Sequence, residues 1–368
     1  MSRLIDRLIA EGCPPFRVAD VFGTPSLQDM LGQMAERSVP GAGSALGMDR
    51  RHLGQMLLAK LNPTGTRRME PADFTGLPVV VADNVADYCA SRPALDRLTD
   101  LVTTVAPPFR KFFVECEPSE PPKHGIEPLH SWGFLVGSAD LTEPEWRAKV
   151  PDRSLAPVVT AFSDAVPVHI PTDLAEVPVR WVIQLILFLE VRKRRPMGPV
   201  AEYGFPLDDE GCLIADSGGQ VVGMNGLVGL TSQLTEGMPS FLMELLDNQL
   251  IPVLFAISLM HCRNVVLRSV EPAPAVSRKA QRRSGHPLVR YQVLEISPMR
   301  RILDTEGAAG AKGLGHALHI CRGHFKTFTR EAPLFGKHVG RYWWSDVARG
   351  TPERGVVTSD YHVSTDPS

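Results

Sequence analysis

Histidine, arginine and lysine crowd into residues 316–329 of this chain, HALHICRGHFKTFT. The intervening residues are mostly apolar, which suits a strand. On a regular strand, side chains alternate between the two faces. His316, Leu318, Ile320, Arg322, His324 and Lys326 then share one face, and Ala317, His319, Cys321, Gly323 and Phe325 the other. Arg322, His324 and Lys326 form a short cationic row. Arginine presents a planar fork that matches phosphate and carboxylate oxygens. Histidine exchanges a proton near neutral pH. The row suits holding an anionic ligand and moving a proton beside it. His319 or His324 is the candidate general acid or base, and Arg322 the candidate partner of a phosphate oxygen. The same row also suits a solvated sheet surface.

Further candidates flank this segment. Residues 341–350 read RYWWSDVARG. Adjacent indoles on a strand face opposite ways, so one of Trp343 and Trp344 can pack inward while the other stacks on a base, near Arg349. Upstream, residues 271–285 read EPAPAVSRKAQRRSG and carry Arg278, Lys279, Arg282 and Arg283. Prolines and a glycine mark this stretch as an exposed, mobile loop, and its cations suit phosphate contact. A metal site needs more than the chain offers here. His319 and His324 fall on opposite strand faces unless Gly323 makes a bulge, and two histidines leave a site incomplete. No metal and no cofactor are assigned. The glycine-rich stretch 307–315 (GAAGAKGLG) lacks the order of a phosphate-binding P-loop, and no G-x-S-x-G or H-E-x-x-H occurs.

The elements that must position these residues read from the hydrophobic pattern. Leu4, Ile5, Leu8 and Ile9 have helical spacing. Further helices are expected over 27–34, 52–61 and 95–102. From residue 109 the pattern shifts to short aromatic and apolar runs bounded by proline and glycine, as in RKFFVEC (110–116) and SWGFLV (131–136). The apolar run 179–193 reads as a strand, and 202–214 as a hairpin turning at Asp208-Asp209-Glu210-Gly211. Residues 239–263 are apolar almost all round, so a covered helix is expected there, kinked or divided at Pro252. Strands follow over 264–270, 288–296, 316–328 and 355–363. The expected fold is α+β, a mainly antiparallel sheet around a central buried helix, preceded by a mostly helical N-terminal region. Residues 1–104 form that helical region, and 105–368 the α+β domain with the C-terminal His/Arg strand motif.

Composition excludes some classes. The 368 residues are 43% hydrophobic and 22% charged, as in a globular chain, and the formal net charge of -2 leaves only local patches to attract an anionic polymer. Six cysteines occur with no C-x-x-C pair, which points to reduced thiols and a cytoplasmic location. Residues 1–10 lack a signal-peptide core, and the apolar run 181–191 is shorter than the roughly 20 residues of a membrane helix. No membrane association is expected.

The C-terminal stretch resembles a group of uncharacterised proteins of bacterial prophages and related phages. They end in A-L-H-x-C-R-x-H, then R-G, a later glycine and Y-x-V. The matching positions are Ala317, Leu318, His319, Cys321, Arg322 and His324, then Arg349 and Gly350, Gly355, Tyr361 and Val363. The likeness thins upstream through Cys262-Arg263-Asn264-Val265 and does not reach residues 1–100. These proteins often carry His-Trp before the Arg-Gly, where this chain has Val347-Ala348. The resemblance implies a mobile-element context and no particular reaction. Three function classes remain: a nucleic-acid- or phosphate-binding or processing protein of a phage or mobile element, a non-enzymatic regulatory or structural protein that contacts another protein, and a small-molecule-binding domain. Whether the chain is an enzyme stays open.

Overall fold

A computed structural model of the chain describes residues 2–13, 69–90, 102–119 apart from 103 and 107, 129–144, 155–158, 166–169, 179–191, 198–215, 224–227, 240–296, 317–321, 324–344 apart from 335, 347–349 and 351–356, with isolated positions at 32, 47, 49, 51 and 52. The helices expected over 27–34, 52–61 and 95–102 lie outside the described residues, save for isolated positions. Four α-helices are described: α1 (Leu4–Glu11), α2 (Asp83–Ala90), α3 (Ser240–Met260) and α4 (Pro274–Ser284). The first eight strands are β1 (Val79–Val81), β2 (Lys111–Cys116), β3 (Leu129–Asp140), β4 (Leu155–Val158), β5 (Val166–His169), β6 (Trp181–Val191), β7 (Ala201–Leu207) and β8 (Met224–Leu227). Then come β9 (Val265–Val270), β10 (Tyr291–Ile296), β11 (Ala317–Cys321), β12 (His324–Phe328), β13 (Gly340–Trp344), β14 (Val347–Arg349) and β15 (Thr351–Val356).

Eight strands make one sheet in the order β8-β7-β6-β3-β2-β1-β10-β9. Strand β1 runs parallel to both its neighbours, and the other pairings are antiparallel. The sheet is therefore mixed, and this corrects the expected architecture. The sheet, not a helix, is the centre. Helix α3 lies on one face beside α2, and α1 covers the other. Nor does the N-terminal region form a helical unit, because Val79–Val81 inserts between β2 and β10. All three valines are buried, at 0–2% exposure. A parallel strand buried on both faces reads as a bare apolar run, and three residues are too few for a periodic signal.

Alternation along the strands builds two cores. Phe112, Val114, Phe134, Val136, Leu185 and Leu187 point to the α3 face, where Val253, Leu254, Phe255 and Ile257 meet them. Phe113, Leu135, Ile186 and Phe188 point the other way, against Leu4, Ile5 and Leu8 of α1. Gly133 of β3 allows the Phe113 ring to cross it, since a Cβ there would lie 2.4 Å from that ring. Helix α3 runs unbroken through Pro252. From Leu250 onward, its apolar side chains pack against the sheet, α2 and the hairpin of β12 and β13. The turn at Asp208–Gly211 closes with Asp208 Oδ1 accepting from Glu210 N at 2.9 Å and Cys212 N at 2.8 Å.

Two further expectations change. The described parts of residues 316–328 belong to two different sheets. Strand β11 pairs with β14 and β15 in a three-stranded sheet, while β12 pairs with β13 and with no other described strand. And the stretch expected as a mobile loop is helix α4. Two local signals mark its ends: Pro274 stands at the first turn, and Gly285 ends the helix at φ 80°. Arg282 and Arg283 in the last turn suit the negative end of the helix dipole.

Candidate functional site

Helix α4 joins edge strand β9 to β10, and none of its residues is buried. A helix of eleven residues is marginal on its own. This one is closed at its C-terminus by Gly285 N–H donating to Gln281 O and held by a few contacts, including Leu288 N–H donating to Ser277 Oγ at 3.2 Å. Arg278, Lys279, Arg282 and Arg283 are all exposed. At 3.6 residues per turn their positions fall within an arc of about 140°. None forms an ion pair with a described acid. The helix contributes little to the core and presents one cationic stripe that no described acid compensates.

The second group lies on the β12–β13 hairpin. Register pairs His324 with Trp344, Phe325 with Trp343, and Lys326 with Tyr342. The Phe325–Trp343 pair faces the core, with the Trp343 ring meeting Phe255 of α3 edge to face at 5.0 Å and lying 6.0 Å from Tyr88 of α2. The other face turns outward. There the His324 and Trp344 rings lie parallel within 9°, centroids 6.4 Å apart. Lys326 Nζ sits 5.3 Å from the Trp344 ring and 5.9 Å from Phe328. His324 and Lys326 are exposed, while Trp344 is half-buried. Its Nε1 has no hydrogen-bond partner among the described residues. Flat rings beside an ammonium group can stack on a planar ligand and neutralise an anion attached to it.

The hairpin is fixed to the start of β9. Asn264 Nδ2 donates to Trp343 O at 2.8 Å, and Trp343 N donates to Asn264 Oδ1 at 2.9 Å. Arg263 N donates to Arg341 O at 2.8 Å. The structure thus brings His324, Lys326 and Trp344 together and turns Trp343 inward. His319 and Arg349 are register partners on β11 and β14, their side chains lying outside the described residues. Arg322 also lies outside them.

A charged cluster beneath α1 was not singled out by the sequence patterns. Glu115, in the middle of apolar β2, is 0% exposed. Its carboxylate accepts from Leu4 N at 2.9 Å and Ile5 N at 3.1 Å, satisfying the first turn of α1, and lies 3.5 Å from Arg3. Arg3 also pairs with Asp83 at 2.7 Å. Arg7 makes a two-pronged contact with Glu190 of β6, which is fully buried and accepts from Ser131 Oγ at 2.8 Å. The visible clue was a glutamate in each of the runs KFFVEC and ILFLEV, where an acid inside a buried strand demands a cation. Every oxygen of Glu115 is committed to α1, so the cluster anchors a helix. A shallow cleft of about 250 Å³ beside it is lined by Arg3, Tyr291, Val276 and Leu288.

Burial pushes Glu115 up to about 7, outweighing Arg3 and the two N–H donors, and burial raises Asp6 as well. Folding therefore favours the protonated acids. That stabilisation is complete below the ordinary value of 4.5 and fades as pH rises to about 7. Thermal midpoints are expected to fall between pH 5 and pH 7.5. Glu115→Gln should flatten the dependence while lowering the midpoint throughout, because the amide turns an NH2 toward the N–H of Leu4 or Ile5. An unchanged slope in that variant would remove Glu115 from this account.

The remaining chemistry is quiet. Among the described residues no three His, Cys, Asp or Glu are grouped to hold a metal. Burial raises the Cys13 and Cys262 thiols to about 12, which suppresses the reactive thiolate. No described helix is long and apolar enough to cross a membrane. Comparison of the chain with protein-family models, with curated proteins and with solved structures finds no match in any of the three.

Proposed function

We propose that this protein binds nucleic acid, through phosphate contacts made by α4, in the cytoplasm of a cell that carries a phage or other mobile element. One observation carries the reading: an exposed helix whose four cations share a stripe and have no ion-pair partner among the described acids. A cationic stripe displaces the counterions condensed on a phosphate backbone, and this provides affinity even for a chain whose net charge is -2. The likeness of the C-terminal motif to prophage proteins supports the mobile-element setting. The reading is one of binding, and no catalytic step is assigned.

Fluorescence anisotropy with a labelled oligonucleotide over a series of salt concentrations tests it. Changing Arg278, Lys279, Arg282 and Arg283 together to alanine should leave the circular dichroism spectrum and the unfolding midpoint nearly unchanged. Binding should weaken at least tenfold or so, and the slope of log K against log salt should flatten by roughly 0.7–0.9 per lost phosphate contact. Equal affinity and an equal slope would exclude α4. The alternative is a non-enzymatic protein that contacts another protein. It draws on edge strand β9, where Val266 is 56% exposed. Absence of any nucleic-acid binding, with self-association lost on Val266→Lys, would favour that alternative.

A further inference from the structure

We infer that the ligand is single-stranded nucleic acid, held along the β9 edge of the sheet between two contacts: the outward face of the β12–β13 hairpin, which stacks on an unpaired base, and α4, which holds the backbone. This rests on the binding reading above and adds the form of the ligand and its path.

The geometry supplies the path. The hairpin is locked to Asn264 at the start of β9, and α4 begins a few residues beyond its end. Six strand residues at about 3.3 Å each separate the two contacts by about 20 Å. A strand of nucleic acid bridging them is within the 4–16 nucleotides, roughly, that one small binding domain covers. Strand β9 is the edge of the sheet, and no described strand pairs with its outer side. Arg263 is exposed at its start, and Arg268, 63% exposed and 3.3 Å from Glu295, stands midway. Exposed cations therefore stand at both ends, and midway Arg268 is balanced by Glu295.

The chemistry at the hairpin selects the form. In a duplex, bases are stacked on each other and show only their edges in the grooves. An unpaired base exposes its flat face, and the hairpin presents matching flat groups: Trp344 with His324 parallel to it, and Phe328. Lys326 lies over the Trp344 ring. A base stacking there takes over the ring face and leaves the ammonium group free to meet the neighbouring phosphate.

The test uses the full chain with a labelled 12-nucleotide single strand and its duplex, read by anisotropy and by tryptophan fluorescence. The single strand should bind more tightly than the duplex and quench the fluorescence. Trp344→Leu should weaken single-strand binding by about 5- to 150-fold, the effect of one lost base stack, with little change for the duplex. His324→Ala/Lys326→Ala changes two exposed positions and should weaken single-strand binding in the same direction, which keeps the test open if Trp344→Leu fails to fold. Equal binding of both forms, or single-strand affinity untouched by the hairpin variants while the α4 variant loses it, would overturn the inference and leave the binding reading standing. No binding of either form would overturn both.

Discussion

Arg7→Ala is expected to destabilise the protein by about 3–5 kcal/mol, the cost of removing one partner from a buried ion pair. Glu190 has 0% exposure and sits among apolar neighbours on β6. Arg7 supplies its cation through both nitrogens of the guanidinium fork. Ser131 contributes one hydrogen bond, which does not balance a full charge. The truncation also takes an anchor from α1, whose Leu4, Ile5 and Leu8 fill the second core. Chemical denaturation measures the change. Glu190→Gln added to Arg7→Ala should recover part of the loss, because the uncompensated charge is then gone. A shift within about 1 kcal/mol for Arg7→Ala would mean that the pair behaves like an exposed one.

Phe255→Ala should cost a similar amount, about 3–5 kcal/mol, by leaving a cavity where a large buried ring stood. Phe255 is 1% exposed and sits where three elements meet. Its ring centroid lies 5.0 Å from Trp343, 5.9 Å from Phe325 and 5.7 Å from Tyr88. It therefore joins α3 to α2 and to the β12–β13 hairpin. The loss of stability should come with a red shift of tryptophan emission as Trp343 meets water. On the single-strand proposal, binding should weaken as well, since the outward face of the hairpin is positioned by the inward one. Phe255→Leu should restore most of the stability. A variant with the stability loss but unchanged emission and binding would show that Asn264 alone holds the hairpin in place.

How much of this was legible beforehand follows from the range of each signal. Strands β2, β3 and β6 and the turn after β7 announce themselves in runs of β-branched and aromatic residues and in the Asp-Asp-Glu-Gly tetrad, because those preferences act over a few bonds. Helix α4 was misread as a loop, although its local signals were present. Pro274 and Gly285 are start and stop signals, but the prolines and charges around them pointed more strongly to a loop. The four cations on α4, and His324, Lys326 and Trp344, were identified by residue type, which is a property of the chain alone.

Tertiary structure decided the rest. Alternation required Trp343 and Trp344 to face opposite ways, but only Phe255 and Asn264 settle which one turns inward. Residues 316–328 had the pattern of one strand, yet the partners of β11 and β12 belong to different sheets. Val79–Val81 became the parallel strand between β2 and β10 because both of its faces are buried in the folded chain. Arg7 and Glu190 are 183 residues apart, and Arg3 and Glu115 are 112 apart. Local pattern determines what a segment can become. Which distant charge it meets is set by long-range packing, where a buried carboxylate is tolerated only beside the cation that the closed chain brings to it.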